Sequence, residues 1–342
     1  MLISQELRPN ELVRFKTPHY GLAPIAGLQM QDDVAAIGDQ ILLRCNRAEW
    51  ETVERGYVFK DWHAKYYDAN PVFLFKPFDE PIAAEAMAAA FDALARDAAR
   101  VVTACRLYKT GHLLEPVYTV RFLVTGIFFR RAVGPYRTEY LAMPVDGLTW
   151  RLDANEAQDV GLIYDNLKIV EQTEGTEGLR AVIDQFNLSH TPTVPNYFSV
   201  HVLLTAMEML FDGVSKRVAL KTTRYDRALQ ILRWSQGDGL DPAFNEFYRN
   251  QIHSLRNAVH HHALRNSDID LDKVKFRLQI PVGVGIRFLM RLHRTEVAAS
   301  LTELKRAQGW QGLGPKDLLN GCLDRDAGGD PTALQELMKF QG

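Results

Sequence analysis

At Arg151 the chain changes its period. Before that residue, apolar side chains come in short runs bounded by turn residues; after it, they recur every three or four positions almost to the end. The first pattern reads as strands and the second as amphipathic helices. The expectation is therefore an α+β chain, with a mixed α/β domain over 1–150, an all-α bundle over 151–296 and a short helical tail over 297–342. A length of 342 residues has room for two domains, since domains cluster near 100–200 residues.

Strand-like runs fall at 38–45, 56–59, 71–75, 118–124, 127–130 and 139–144. Between them, Pro81 opens an alanine-rich helix over 82–108. Met87, Phe91, Leu94, Ala98, Val101, Val102 and Cys105 keep helical spacing, and Gly111 supplies the stop. So many alanines predict close packing against a sheet. In the second part, Asp153 and Glu156 have capping-box spacing ahead of a helix over 157–170. Further helices are expected at 179–188, 197–211 and 225–234, and a fifth from Pro242 through His262. Asp268, Ile269 and Asp270 cap the stretch that follows, and 282–293 forms another helix despite Gly283 and Gly285. The helix over 197–211 is apolar except for Glu208, which interrupts Ala206-Met207-Glu208-Met209-Leu210-Phe211.

Composition narrows the class. The chain is 46% hydrophobic and 24% charged, ordinary for a globular protein with a sizeable core. No apolar run reaches the roughly 18 residues of a membrane span, so no membrane partner is expected. No secretory signal is visible at the N-terminus. Cys45, Cys105 and Cys322 are few, odd in number and far apart, which argues against a disulfide framework and fits a reducing cytoplasm. Charge is unevenly spread. Between Val214 and Glu296 there are 15 Lys and Arg against 8 Asp and Glu, a balance of +7 in a chain of net charge −2. Such asymmetry points to a surface that meets phosphate, or to a solvated basic face.

One segment carries chemistry. Arg256-Asn257-Ala258-Val259-His260-His261-His262 lies inside the predicted helix that begins at Pro242. Asn257 and His261 are four apart, as are Arg256 and His260, so each pair shares a face. A guanidinium forks onto phosphate oxygens, an imidazole exchanges a proton near neutral pH, and an amide orients either. A metal site is not expected here: adjacent helical residues point about 100° apart, so three consecutive histidines cannot ligate one ion. Gly309-Trp310-Gln311-Gly312-Leu313-Gly314-Pro315-Lys316 lacks the spacing and the preceding strand of a nucleotide loop. His63, His112 and His190 are isolated and read as structural. No cofactor is expected.

The stretch 179–293 resembles a HEPN domain, most closely its Apea-like branch. The resemblance rests on Leu203-Leu204-Thr205-Ala206-Met207-Glu208-Met209-Leu210-Phe211 on an early helix, on Phe247-Tyr248, and on Leu255-Arg256-Asn257-Ala258-Val259-His260-His261. The family pattern is Arg, a polar residue, and His after four to six intervening positions; here it falls on Arg256, Asn257 and His261. A second His follows His261 where relatives often have Gly, so the register stays open between His261 and His260. The resemblance covers about a third of the chain and leaves the N-terminal domain outside it.

That resemblance implies metal-independent RNA cleavage to 2′,3′-cyclic phosphate ends. His261 would act as base on a ribose 2′-hydroxyl or as acid toward the leaving oxygen, Arg256 would stabilise the phosphorane, and Asn257 would hold either in place. Glu208 and Tyr248 are supporting candidates, with Glu208 placed to brace Arg256 across the bundle or simply to form an ion pair with a basic helix. A homodimer with a shared cleft is implied, together with a context of phage defence or a toxin held by an antitoxin or other regulatory partner. The alternative from another class is a non-catalytic binding or dimerisation module coupled to an N-terminal sensing domain.

Overall fold

The computed structural model describes residues 19–25, 27–44, 72–78, 84–109, 118–122, 128–132, 150–191, 194–212, 223–237, 240–260 and 269–341. The chain divides into two compact units, Met1–Asp165 and Asn166–Gly342. Among the described residues it is mostly helical, with the sheet confined to the first unit, and so of the α+β class.

In the first unit, a six-stranded sheet runs in the order β3-β4-β5-β1-β6-β7. Its strands are β1 (His19–Ile25), β3 (Val34–Ile37), β4 (Gln40–Arg44), β5 (Val72–Phe78), β6 (Tyr118–Phe122) and β7 (Phe128–Ala132), and every neighbouring pair is antiparallel. Two three-residue strands, β2 (Leu28–Met30) and β8 (Trp150–Leu152), pair in parallel as a separate ribbon. Val72, Phe73, Leu74 and Phe75 are all buried, so β5 is covered on both faces, which explains its unbroken apolar run. Predicted strands at 38–45, 71–75, 118–124 and 127–130 correspond to β4, β5, β6 and β7. Those at 56–59 and 139–144 lie outside the described residues, as do His63 and His112.

Helix α1 (Ala84–Tyr108) packs against β1 and β6, with Leu94, Ala98, Val101, Val102 and Cys105 fully buried. It is joined to β5 by Lys76, whose Nζ lies 2.8 Å from Asp97 Oδ2, and Arg100 meets the other oxygen of Asp97 at 2.8 Å. Arg100 also donates to the hydroxyl of Tyr164 at 3.2 Å. Tyr164 belongs to α2 (Glu156–Gln172), where the predicted box survives in part: the Asp153 N–H donates to Glu156 Oε2 at 3.1 Å.

The same helix approaches the β3–β4 hairpin through two glycines. Gly38, in the two-residue turn, has φ +58°, and a Cβ there would lie 2.7 Å from Tyr164 Cδ1. A Cβ on Gly161 would lie 2.8 Å from the backbone nitrogen of Gly38. This contact keeps the start of α2 in the first unit, so the division falls at 165/166, within the helix, rather than at 150. Gly161→Ala puts a methyl against backbone that has nowhere to move; we expect it to cost about 1–3 kcal/mol by thermal unfolding.

The second unit is helical. Its members are α3 (Glu177–Ser189), α4 (Asn196–Phe211), α5 (Arg224–Gln236), α6 (Pro242–Glu246), α7 (Ile252–His260), α8 (Leu271–Leu292), α9 (Ala298–Ala307), α10 (Pro315–Ala327) and α11 (Thr332–Met338). Helix α4 is buried on most of its circumference, as a helix that is apolar nearly all round must be. It packs against α3 and α8. Asn196 donates to Asp272 at 2.7 Å where α4 and α8 begin, and a Cβ on Gly285 would meet Phe211 at 3.0 Å where α4 ends, so the two run parallel. Helix α8 is one 22-residue element that carries Pro281 inside it, where the sequence pattern reads a capped stretch followed by a separate helix.

Residues 297–342 are more than a tail. Asp324 on α10 is fully buried and takes both Nε (2.7 Å) and Nη2 (3.0 Å) of Arg227 on α5. Arg227 also donates to the carbonyl of Phe211, Asn320 to that of Leu210 at 2.9 Å, and Lys316 to that of Met209 at 3.2 Å. These are last-turn carbonyls of α4, which have no partner within the helix. Asp324→Ala would leave the Arg227 charge buried and unmatched, and a loss of about 3–5 kcal/mol is expected by denaturant titration.

Candidate functional site

The segment that begins at Pro242 runs from α6 into α7 through a π-helical turn, Phe247–Gln251. Asp241 caps its start by accepting from the Ala243 N–H at 2.9 Å, with Pro242 at the first helical position. The π turn adds a residue relative to α geometry. Phe247 and Tyr248, adjacent in sequence, are both buried, and Ile252, Leu255 and Val259 continue the buried edge. Arg256 and Asn257 lie on the other side of α7: Arg256 is partly exposed, its side chain 34% accessible, and Asn257 is exposed.

Arg256 reaches α4. Its Nε donates to Glu208 Oε1 at 2.9 Å. The same oxygen receives Nη1 of Arg224, from the first turn of α5, at 2.6 Å, and that nitrogen lies 3.2 Å from Asp212 Oδ2. Two guanidiniums from separate helices thus converge on one carboxylate oxygen. Arg224 is held there because Thr223 and Asp226 close a reciprocal capping box at the start of α5 and because Arg227, three residues on, is anchored to Asp324.

Tyr225 sits among these groups. It is 3% exposed, its hydroxyl is buried, and among the described residues it has no hydrogen-bond partner. The Arg224 guanidinium lies 5.7 Å from its ring centre, and the His253 ring meets it edge-on at 4.9 Å. Burial pushes the phenol above its usual range, against the opposing pull of Arg224 and Arg256; Glu208 and Asp212 push it further up. Tyr225 is therefore a protonated hydroxyl, a donor rather than a base, at neutral pH.

Of the residues singled out by pattern, Arg256, Asn257 and Glu208 fall on this surface. The backbone of His260 ends α7, and its side chain lies outside the described residues, as does the whole of His261. Tyr248 is placed differently: it is buried, and its hydroxyl donates to the carbonyl of Arg277 on α8 at 2.9 Å. Its hydrogen bond thus ties the π turn to α8 and is committed there rather than to the arginine pair. His190, read as structural, bonds through Nδ1 to the carbonyl of Phe186 at 2.8 Å and packs on that ring. Arg224, Tyr225 and Asp212 were not singled out by the sequence pattern. The available signal was the excess of basic residues over 214–296, which does not distinguish one arginine from another.

The cysteines offer no alternative nucleophile among the described residues. Cys105 and Cys322 are buried, and burial pushes both thiols up to about 12, so neither forms a thiolate near neutral pH. Among the described residues no three His, Cys, Asp or Glu side chains gather as a metal site, and no helix is long and apolar enough to cross a membrane. Compared with protein-family models, curated proteins and solved structures, the chain matches none.

Tyr248→Phe should lower stability by about 1 kcal/mol, the worth of one intramolecular hydrogen bond, measured by thermal unfolding. Any activity of the Arg256 surface should survive that change.

Proposed function

We propose that this protein is a metal-independent endoribonuclease of the HEPN type, working as a homodimer in phage defence or under the control of an antitoxin. The observation that carries this is the position of Arg256. Its guanidinium is partly exposed and held by its Nε edge to Glu208, which keeps the opposite edge for a phosphate. Asn257 is exposed beside it on the same helix.

In this scheme an RNA phosphodiester meets the outer edge of Arg256. His261, five residues on, takes the proton of the 2′-hydroxyl, and a second imidazole across the two-fold axis protonates the leaving 5′-oxygen. Arg256 stabilises the negative charge that grows on the equatorial oxygens, and Glu208 holds it in position in the free protein. DNA lacks the 2′-hydroxyl and is not cut by this route.

The test is to incubate the purified protein with single-stranded RNA in excess chelator and identify the product ends. Cyclic phosphate ends are expected, and His261→Ala should slow cleavage by at least about a hundred-fold, the lower range for a lost acid–base group. His260→Ala, run in parallel, decides the register. Cleavage by both variants at the wild-type rate would remove the assignment. A stable dimer that leaves RNA intact would instead favour the non-catalytic binding module.

A further inference from the structure

Glu208 Oε1 is an oxygen placed between two guanidinium donors, 2.9 Å from Arg256 Nε and 2.6 Å from Arg224 Nη1. Two like charges brought this close need an anion between them. The protein supplies a carboxylate, which is planar and comes from α4 alone. It satisfies both arginines through one oxygen, yet the Tyr225 hydroxyl within the same group of charges stays without a hydrogen bond among the described residues. Leaving a buried hydroxyl unmet is costly, and a donor unmet beside two guanidiniums is explained by an anion that completes the group.

We propose that Arg224, Tyr225 and Arg256 form a subsite for one phosphodiester of a single-stranded nucleic acid, with Glu208 as its resident stand-in. A phosphodiester is tetrahedral and presents two non-bridging oxygens, each able to take more than one donor. One oxygen takes the position of Glu208 Oε1 between the two arginines, and the other receives the O–H of Tyr225. The Glu208 side chain, 28% accessible, turns outward to water as the phosphate enters, while Asp212, 55% accessible, keeps Arg224 in place. The phenol ring is held for this by the edge-on contact with His253 and by Arg224 above it. Tyr225 and Arg224 act here as binding residues, and the subsite rests on the reading of the Arg256 surface as the place where RNA lies.

The deciding variant is Tyr225→Phe in the full-length protein, read without cleavage. A single-stranded 2′-O-methyl oligoribonucleotide, which has no free 2′-hydroxyl to react, is titrated into wild type and variant, and thermal unfolding of both free proteins is recorded. The variant should melt at or above the wild-type temperature, since it removes an unmet polar group, and it should bind the oligonucleotide about ten-fold more weakly, as loss of a hydrogen bond to a charged oxygen does. Arg224→Gln should also lower the slope of log affinity against log salt by about 0.7, the value for one phosphate contact on a single strand. A Tyr225→Phe protein that melts several degrees lower would mean that the hydroxyl already has a partner in the free protein, and the subsite would be overturned. Unchanged affinity, or a wild type that does not bind the oligonucleotide, would overturn it too. Binding that depends on Tyr225 in a protein that cuts no RNA would leave the subsite standing and remove the nuclease; cleavage lost in His261→Ala with Tyr225→Phe binding unchanged would do the reverse.

Discussion

The second unit is organised by the need to finish α4 inside the protein. A helix that ends in the interior leaves carbonyls without donors, and in α4 those of Met209, Leu210 and Phe211 receive Lys316, Asn320 and Arg227. Cationic and amide donors also suit the negative end of the helix dipole. Arg227 can be buried only because Asp324 meets its fork with both oxygens. That pair sets the rotation of α5, and the rotation of α5 sets the direction of Arg224. Glu208, one turn before the end of α4, is thereby met from one side by Arg224 and from the other by Arg256. The candidate site is an outgrowth of the way the central helix is terminated.

The two groups of charges differ in burial, and their roles differ with it. Arg227 and Asp324 are 6% and 0% accessible in their side chains; such a pair is rigid, and breaking it is costly. Arg224, Glu208 and Arg256 are 22%, 28% and 34% accessible. Ion pairs of that kind contribute roughly a kcal/mol or less each, so they can be exchanged for contacts with an incoming anion at little cost to the fold. A fixed pair beneath and an exchangeable group above it are what a binding surface on a stable bundle requires.

Much of the architecture was legible in the sequence. The alanine helix, the apolar helix with Glu208 inside it and the cap at Asp270 follow from local rules that the structure obeys. What escaped had physical reasons. Strand β1, His-Tyr-Gly-Leu-Ala-Pro-Ile, contains Gly and Pro, which weaken any strand pattern, and β2 and β8 are too short to show a period. Pro281, Gly283 and Gly285 argue against helix locally, yet burial of α8 along α4 overrides them. In the candidate site, Arg256, Asn257 and Glu208 stood out by spacing or by incongruity. Arg224 and Tyr225 did not, because they lie some thirty residues from Arg256 and only packing brings them together.

The π turn at Phe247–Gln251 has a consequence for how tolerant this protein is of changes in length. A turn with one residue more than its neighbours acts as a phase adjuster: everything downstream is rotated by about 100° relative to a regular helix. Deleting a single residue there would let the segment relax into uninterrupted α geometry with Arg256 still toward Glu208 and Ile252 and Leu255 still inward, whereas inserting one would swing them off those faces together. The segment thus carries one residue of slack, so that losing a residue there is far safer than gaining another.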